Sequence, residues 1–181
     1  MKARQDVLST TVSVYNRNSL RIKRSDNEHT DEAKERRRNM IKQINIFVEN
    51  KPGKLKAIAE LLWQKEIDIK ALTIQDRKDY GMLKLLVDNP EKAHLVLQDS
   101  GFASALKDIV AVYIDDRPGG LHALAAAMEK HSINILDAYS YTIESHKRAV
   151  WCSEVSDVHA ADQALASEAF TSLTEDDLAA I

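Results

Sequence analysis

A short turn occurs twice in this chain, and the spacing of its two copies restricts the possible folds more than any other feature. Lys51-Pro52-Gly53-Lys54-Leu55 matches Arg117-Pro118-Gly119-Gly120-Leu121 at an offset of 66 residues, and Ile67-Asp68-Ile69 matches Ile133-Asn134-Ile135 at the same offset. Farther on, Val87 matches Val155 and Gly101-Phe102 matches Ala169-Phe170 at an offset of 68. The second copy therefore carries two extra residues, in the turn around Ser145-His146-Lys147. A unit of this length seen twice predicts two similar domains, not a solenoid, which needs more copies to bury its faces.

Each copy reads as strand, helix, strand, strand, helix, strand. Ile44, Ile46 and Val48 alternate with Asn45, Phe47 and Glu49, and Val110, Val112 and Ile114 alternate with Ala111 and Tyr113, which is the period of a half-buried strand. After each Pro-Gly pair, Leu55, Ile58, Ala59 and Leu62, or Leu121, Leu124, Ala125 and Met128, fall at the spacing of one helix face. Further strands are expected around residues 67–74 and 133–141, and around 81–87 and 149–155. Asp88-Asn89-Pro90 and Ser156-Asp157 are start signals for second helices bearing Ala93, Val96 and Leu97, or Ala161, Ala164 and Leu165. Short fourth strands are expected after Gly101 and Ala169. The predicted architecture is α+β: two tandem ferredoxin-like βαββαβ domains over residues 40–107 and 108–181, each an antiparallel sheet with helices on one face.

Residues 1–39 are of a different character. They hold ten Lys/Arg and six Asp/Glu, a net of +4, against -7 for the rest of a chain whose total is -3. Few large apolar residues follow Ile22, which is the composition of a disordered extension. Two other readings stand beside it: a basic tail that touches nucleic acid or lipid headgroups, and translation that begins at Met40. The whole-chain charge offers no electrostatic reason to bind nucleic acid or acidic membranes. No apolar run approaches the ~20 residues that cross a bilayer, no secretory leader is visible, and a single Cys152 excludes an internal disulfide framework, so a cytoplasmic protein is expected.

These residues carry a family resemblance. An alternating strand ending in Val48-Glu49-Asn50, the Pro-Gly-x-Leu turn, a helix, and the strand Ile67-Asp68-Ile69-Lys70-Ala71-Leu72-Thr73 resemble an ACT domain, and Tyr113 to Leu121 followed by Ile133-Asn134-Ile135 resembles another. Together they cover everything but the leading segment. The resemblance implies a non-catalytic regulatory or sensing protein that binds a free amino acid, pairs its sheets side by side either as a homodimer or as an intrachain domain pair that further dimerises, and passes the bound state to a partner enzyme. The first copy is also similar to the leading half of the acetolactate synthase regulatory subunit, whose second half is not a Pro-Gly repeat. A regulatory subunit of an amino-acid biosynthetic enzyme and an enzyme on a ferredoxin-like scaffold are the competing readings.

The turn has a chemistry of its own. N–H groups at a helix N-terminus lack intrahelical partners and lie at the positive end of the dipole, so they suit a carboxylate, and a glycine there lets a ligand approach the backbone. An α-amino group then needs an acceptor, and Asn50 or Asp116 lies three residues before its glycine. The plainer reading is that Pro-Gly is simply a good turn before a helix. In the family resembled, a ligand lies between paired domains, held by this turn of one and the second strand of its neighbour. That implicates Asn50, Lys51, Pro52, Gly53, Lys54 and Leu55 in the first copy. In the second it implicates Asp116, Arg117, Pro118, Gly119, Gly120 and Leu121, with Asn134, Ile135 and Leu136 from the strand. The second loop is favoured: Asp115 and Asp116 suit an ammonium, and Gly120 is expected to open the loop further.

No catalytic or cofactor motif competes. G-x-G-x-x-G, P-loop and G-x-S-x-G patterns are missing, the six histidines have no metal-ligand spacing with each other or Cys152, and no cofactor is expected. Phe47, Tyr113, Tyr139 and Tyr141 are expected on the helix-free side of a sheet, as a domain or subunit contact.

Overall fold

The alternation of the first strand is realised as β1 (Lys42–Glu49), followed by α1 (Lys54–Gln64), β2 (Ile69–Asp76), β3 (Tyr80–Val87), α2 (Pro90–Asp99) and β4 (Ala103–Asp108). The second copy gives β5 (Val110–Asp115), α3 (Gly120–Lys130), β6 (Ile135–Glu144), β7 (Arg148–Val155), α4 (Val158–Ser167) and a short α5 (Glu175–Ala180). This computed structural model describes residues 40–49, 51–76 and 80–180. The expected disordered extension over 1–39, and Asn50, lie outside the described residues.

The sheets have strand orders β2-β3-β1-β4 and β5-β7-β6, all neighbours antiparallel. The first is the full ferredoxin-like pattern. The fourth strand expected after Ala169 is absent as an element: only Ser172 bridges Val112, flanked by bonds from Tyr113 N–H to Thr171 O and Leu173 N–H to Ala111 O. The reason is local. Thr174 and Asp177 exchange side-chain-to-backbone bonds of 2.9 and 3.1 Å, a reciprocal cap that turns the chain into α5 after three paired residues.

Helices α2 and α4 start where their signals lie. The Asn89 side chain accepts from Lys92 N–H at 3.0 Å and that of Asp157 from Ala160 N–H at 2.9 Å. Each sheet buries its own helix-side core, Ile44, Ile46, Ile58, Leu62, Leu83 and Leu97 in the first, and Val110, Val112, Leu124, Met128, Ala161 and Leu165 in the second. The buried stripe of α3 runs through Leu124, Ala127 and Met128, so Ala125 lies outside it. Leu55 and Leu121, at the first turn of α1 and α3, remain 43% and 51% exposed, outside both cores.

The helix-free faces meet each other. Ile41, Leu86 and Ile109 pack with Ala111, Val150, Cys152, Leu173 and Leu178, and Tyr113, Tyr139 and Tyr141 close against this third cluster. Phe47 instead stays 49% exposed, tilted on Tyr80. Within the chain the two sheets thus pack face to face and do not continue edge to edge. Only Ile109 separates β4 from β5, and its N–H bonds to Ile41 O.

Between the faces lies a polar network. Lys84, 3% exposed, is bonded to Asp137 and, at 2.6 Å, to Glu154, which also receives Lys107 and the Gln43 amide at 2.9 Å. Tyr139 O–H donates to Gln43 at 2.9 Å. Burial pulls the Lys84 ammonium down, but its two carboxylate partners outweigh that and hold it above the usual lysine value. Burial likewise pushes Glu154 up, yet Lys107 and Lys84 bring it down to about 2. Cys152 lies in the same layer, its thiol pushed up by burial to about 12, which leaves it a packing residue without thiolate chemistry.

Candidate functional site at the second Pro-Gly turn

The two Pro-Gly turns are built alike. Gly53 and Gly119 are the N-caps of α1 and α3, with φ of 89° and 100°, a left-handed backbone that side chains resist and that explains glycine there. A Cβ on either would meet nothing within 4 Å, so the space outside the backbone is open. Among the described residues no side chain caps either helix, in contrast to α2 and α4. The N–H groups of Leu121 and His122 therefore begin α3 with no intrahelical acceptor, at the positive end of its dipole.

Gly120 serves another purpose than the expected opening of the loop. A Cβ there would lie 2.1 Å from the Asp115 carbonyl oxygen, so this glycine lets the start of α3 press onto the end of β5. Its N–H closes the turn on Arg117 O at 3.0 Å.

Beside this second turn is an open cavity of about 400 Å³. Asp115, Asp116, Arg117, Pro118 and Leu121 form its turn side, and Ser140 and Thr142 of β6 and Ala149 and Trp151 of β7 form its sheet side. His146 of the inserted turn closes the end. Its N–H donates to Asp116 Oδ2 at 2.8 Å, and Asp116 N–H donates to Lys147 O at 3.3 Å, so the extra residues latch the hairpin onto the loop. The positive φ of His146, 62°, aims that N–H. Arg117 lies 3.6 Å from Asp115, both exposed, leaving its guanidinium on the rim. Among the described residues the buried Trp151 Nε1 has no hydrogen-bond partner.

Asp116, Arg117, Pro118 and Leu121 thus line one cavity, with Gly119 and Gly120 shaping its backbone. Asn134, Ile135 and Leu136 do not join them in this chain. Ile135 pairs with Val155, whereas the loop lies beside the Asp115–Arg148 pair, seven residues along β7, or about 23 Å. Strand parity alone could not show which end of β6 the turn reaches. In the first copy, Lys51 and Lys54 lie 3.3 and 3.5 Å from Glu49, whose carboxyl they hold below the usual range. Pro52, Gly53 and Leu55 are exposed around them. Ser140, Thr142, His146, Ala149 and Trp151 were not implicated by the sequence; the two-residue insertion was the one signal that pointed toward them. Among the described residues no cluster of His, Cys, Asp and Glu could hold a metal, and no helix is long and apolar enough to cross a membrane.

The fold is similar to that of several solved proteins. A protein from Bacteroides thetaiotaomicron superposes with a TM-score of 0.74 at 28% identity, covering 78% of this chain and 97% of that one. The ligand-free regulatory subunit of aspartate kinase from Thermus thermophilus gives a TM-score of 0.56 at 17% identity, covering 72% and 93%. That from Thermus flavus gives 0.52, at the same identity and coverage. Among curated proteins none matches the sequence. A family model described as an ACT domain pair matches residues 39–181. With most of the sequence matched, the first sheet carrying the full ferredoxin-like order and the second its first three strands, the chain belongs to the ACT domain pair family.

Proposed function

We propose that this protein is a non-catalytic regulatory or sensing module that binds a free amino acid at the second Pro-Gly turn and reports its presence to an enzyme partner. The observation that carries the reading is the cavity itself: an uncapped helix start, a guanidinium and two carboxylates stand on one rim, which is the charge pattern a zwitterion needs. The two-domain division at 40–107 and 108–181, and a cytoplasmic setting, belong to the same proposal.

Screening the twenty amino acids for thermal stabilisation tests it. A ligand at a hundredfold excess over Kd adds about 2.7 kcal/mol, and each kcal/mol raises Tm by roughly 2–4 °C for a chain of this size. One or a few amino acids should give this shift while their α-hydroxy and decarboxylated analogues do not. Asp116→Ala should abolish it, at a cost of about 0.5–1.5 kcal/mol to the unliganded fold because the His146 N–H loses its acceptor. An unaltered affinity in that variant would move the site to the first loop, around Lys51 to Leu55.

A homodimer is proposed with it. β2 and β6 are sheet edges with unpaired backbone groups, and Leu72, Ile74 and Leu136 on them are 47%, 54% and 58% exposed. Light scattering should give twice the 20.3 kDa of the chain. A single-chain mass throughout the micromolar range would refute the dimer.

A further inference from the structure

The repeat allows the walls of the two turns to be compared position by position. In the second copy, β6 sets Ser140 opposite Trp151 and Thr142 opposite Ala149. The corresponding pairs of the first copy are Ile74 opposite Leu83 and Asp76 opposite Gly81. The same place in the fold is hydroxyl-bearing in one copy and carries an exposed isoleucine in the other.

Strand alternation fixes where the hydroxyls go. Tyr139 and Tyr141 lie on the face that meets the first sheet, so Ser140 and Thr142 point to the helix side, onto the cavity. Among the described residues neither hydroxyl has a hydrogen-bond partner, and both residues are exposed. Their apolar neighbours are Ile114, Leu121, Ala149 and the Trp151 ring, while the charged Asp115, Asp116 and Arg117 stand across the cavity on the turn side. Hydroxyls exposed in this way bond to water. A ligand that fills the space displaces that solvent, and a hydrocarbon side chain would strand them, whereas a hydroxyl or carboxamide would replace the lost bonds. Sites with groups of this kind reject isosteres that lack the matching polar atom far more strongly than apolar pockets reject an added one.

We infer that the second site selects an amino acid with a hydrogen-bonding side chain, and that Ser140 and Thr142 are the residues that select it. The inference rests on the proposed amino-acid site and adds to it the class of ligand side chain.

Isosteric pairs provide the test: threonine against valine, asparagine against leucine, and glutamine against methionine, each titrated calorimetrically into the full chain. For the pair that fits the cavity, the polar member should bind at least about tenfold more tightly. The double variant Ser140→Ala/Thr142→Val keeps strand-compatible shapes at two exposed positions, so its Tm should stay within about 2 °C of the parent. In it the ratio should fall below about threefold, chiefly through weaker binding of the polar member. Tighter or equal binding of the hydrocarbon member by the parent protein overturns the inference while leaving an amino-acid site intact. So does a ratio that survives in the double variant. Binding of none of the twenty amino acids overturns the proposed function and this inference together.

Discussion

Lys84→Met should destabilise the protein by about 3–5 kcal/mol, a fall in Tm of about 6–20 °C. The methionine fills a similar volume, but Asp137 and Glu154 then share the space between the two sheets without the cation that joins them. Glu154 keeps Lys107 and the Gln43 amide and Asp137 keeps the Gln75 amide, but two carboxylates facing each other between the sheets without the shared cation cost more than the net worth of the ion pair. The pH dependence gives a second reading of the same experiment. Glu154 is held at about 2 in the folded protein, below the ordinary value of about 4.3, so its stabilising contribution is complete above that value and lost as pH falls through about 2. In the variant Glu154 keeps Lys107 but loses Lys84, one of the two cations that hold its carboxyl down, and protonates at a higher pH than in the parent. The deficit relative to the parent should therefore narrow as pH falls from about 4 toward 2, measured by denaturant unfolding at each pH. Lys84→Met/Glu154→Met should recover more than half of the loss, since an apolar pair of similar size is tolerated where a broken ion pair is not. A deficit under 1 kcal/mol, or one that grows in acid, would show that the sheets are held by the surrounding apolar cluster alone.

Gly120→Ala is expected to cost about 1–3 kcal/mol and to remove the thermal response to the ligand. In an unobstructed helix the change would stabilise by about 1 kcal/mol, so any loss reports the contact. The clash is with the backbone of Asp115, at 2.1 Å from its oxygen, and a carbonyl inside a paired strand cannot rotate away as a flexible side chain would. The start of α3 must move off β5, carrying the Gly120 N–H from Arg117 and opening the turn side of the cavity. Lys54 holds the matching position in the first copy, and Lys54→Ala there should change stability by less than about 0.5 kcal/mol. Chemical unfolding of the two variants beside the parent decides the matter. Equal stability of Gly120→Ala and the parent would mean that the close approach carries no strain.

Much of the fold was legible because its determinants are local. The alternation of Ile44, Ile46 and Val48, the caps at Asn89 and Asp157, and the repeated Pro-Gly pair each act within a few residues, and each specified an element that formed. The second fourth strand failed for a reason that is also local but easily overlooked: Thr174 and Asp177 start a helix where a strand would have continued. The glycines illustrate the limit of local reading. Gly53 and Gly119 were identifiable as turn residues, but Gly120 is explained by a neighbour in space, the Asp115 carbonyl, and not by the freedom that its residue type suggests.

The sequence by itself determined the duplication, the order of elements, the helix starts and the two turns able to meet an anion, because hydrogen-bonding patterns and side-chain periodicity are properties of short segments. Tertiary structure decided what covers the second face of each sheet. Alternation says that Gln43, Lys84 and Glu154 point away from the helices, yet water and another sheet are equally consistent with that pattern, and the difference turns solvated charges into a buried network. It also decided the composition of the site. Register, which depends on pairing between distant segments, brings Ser140, Thr142, Ala149 and Trp151 to the second turn and sends Asn134, Ile135 and Leu136 to the other end of β6.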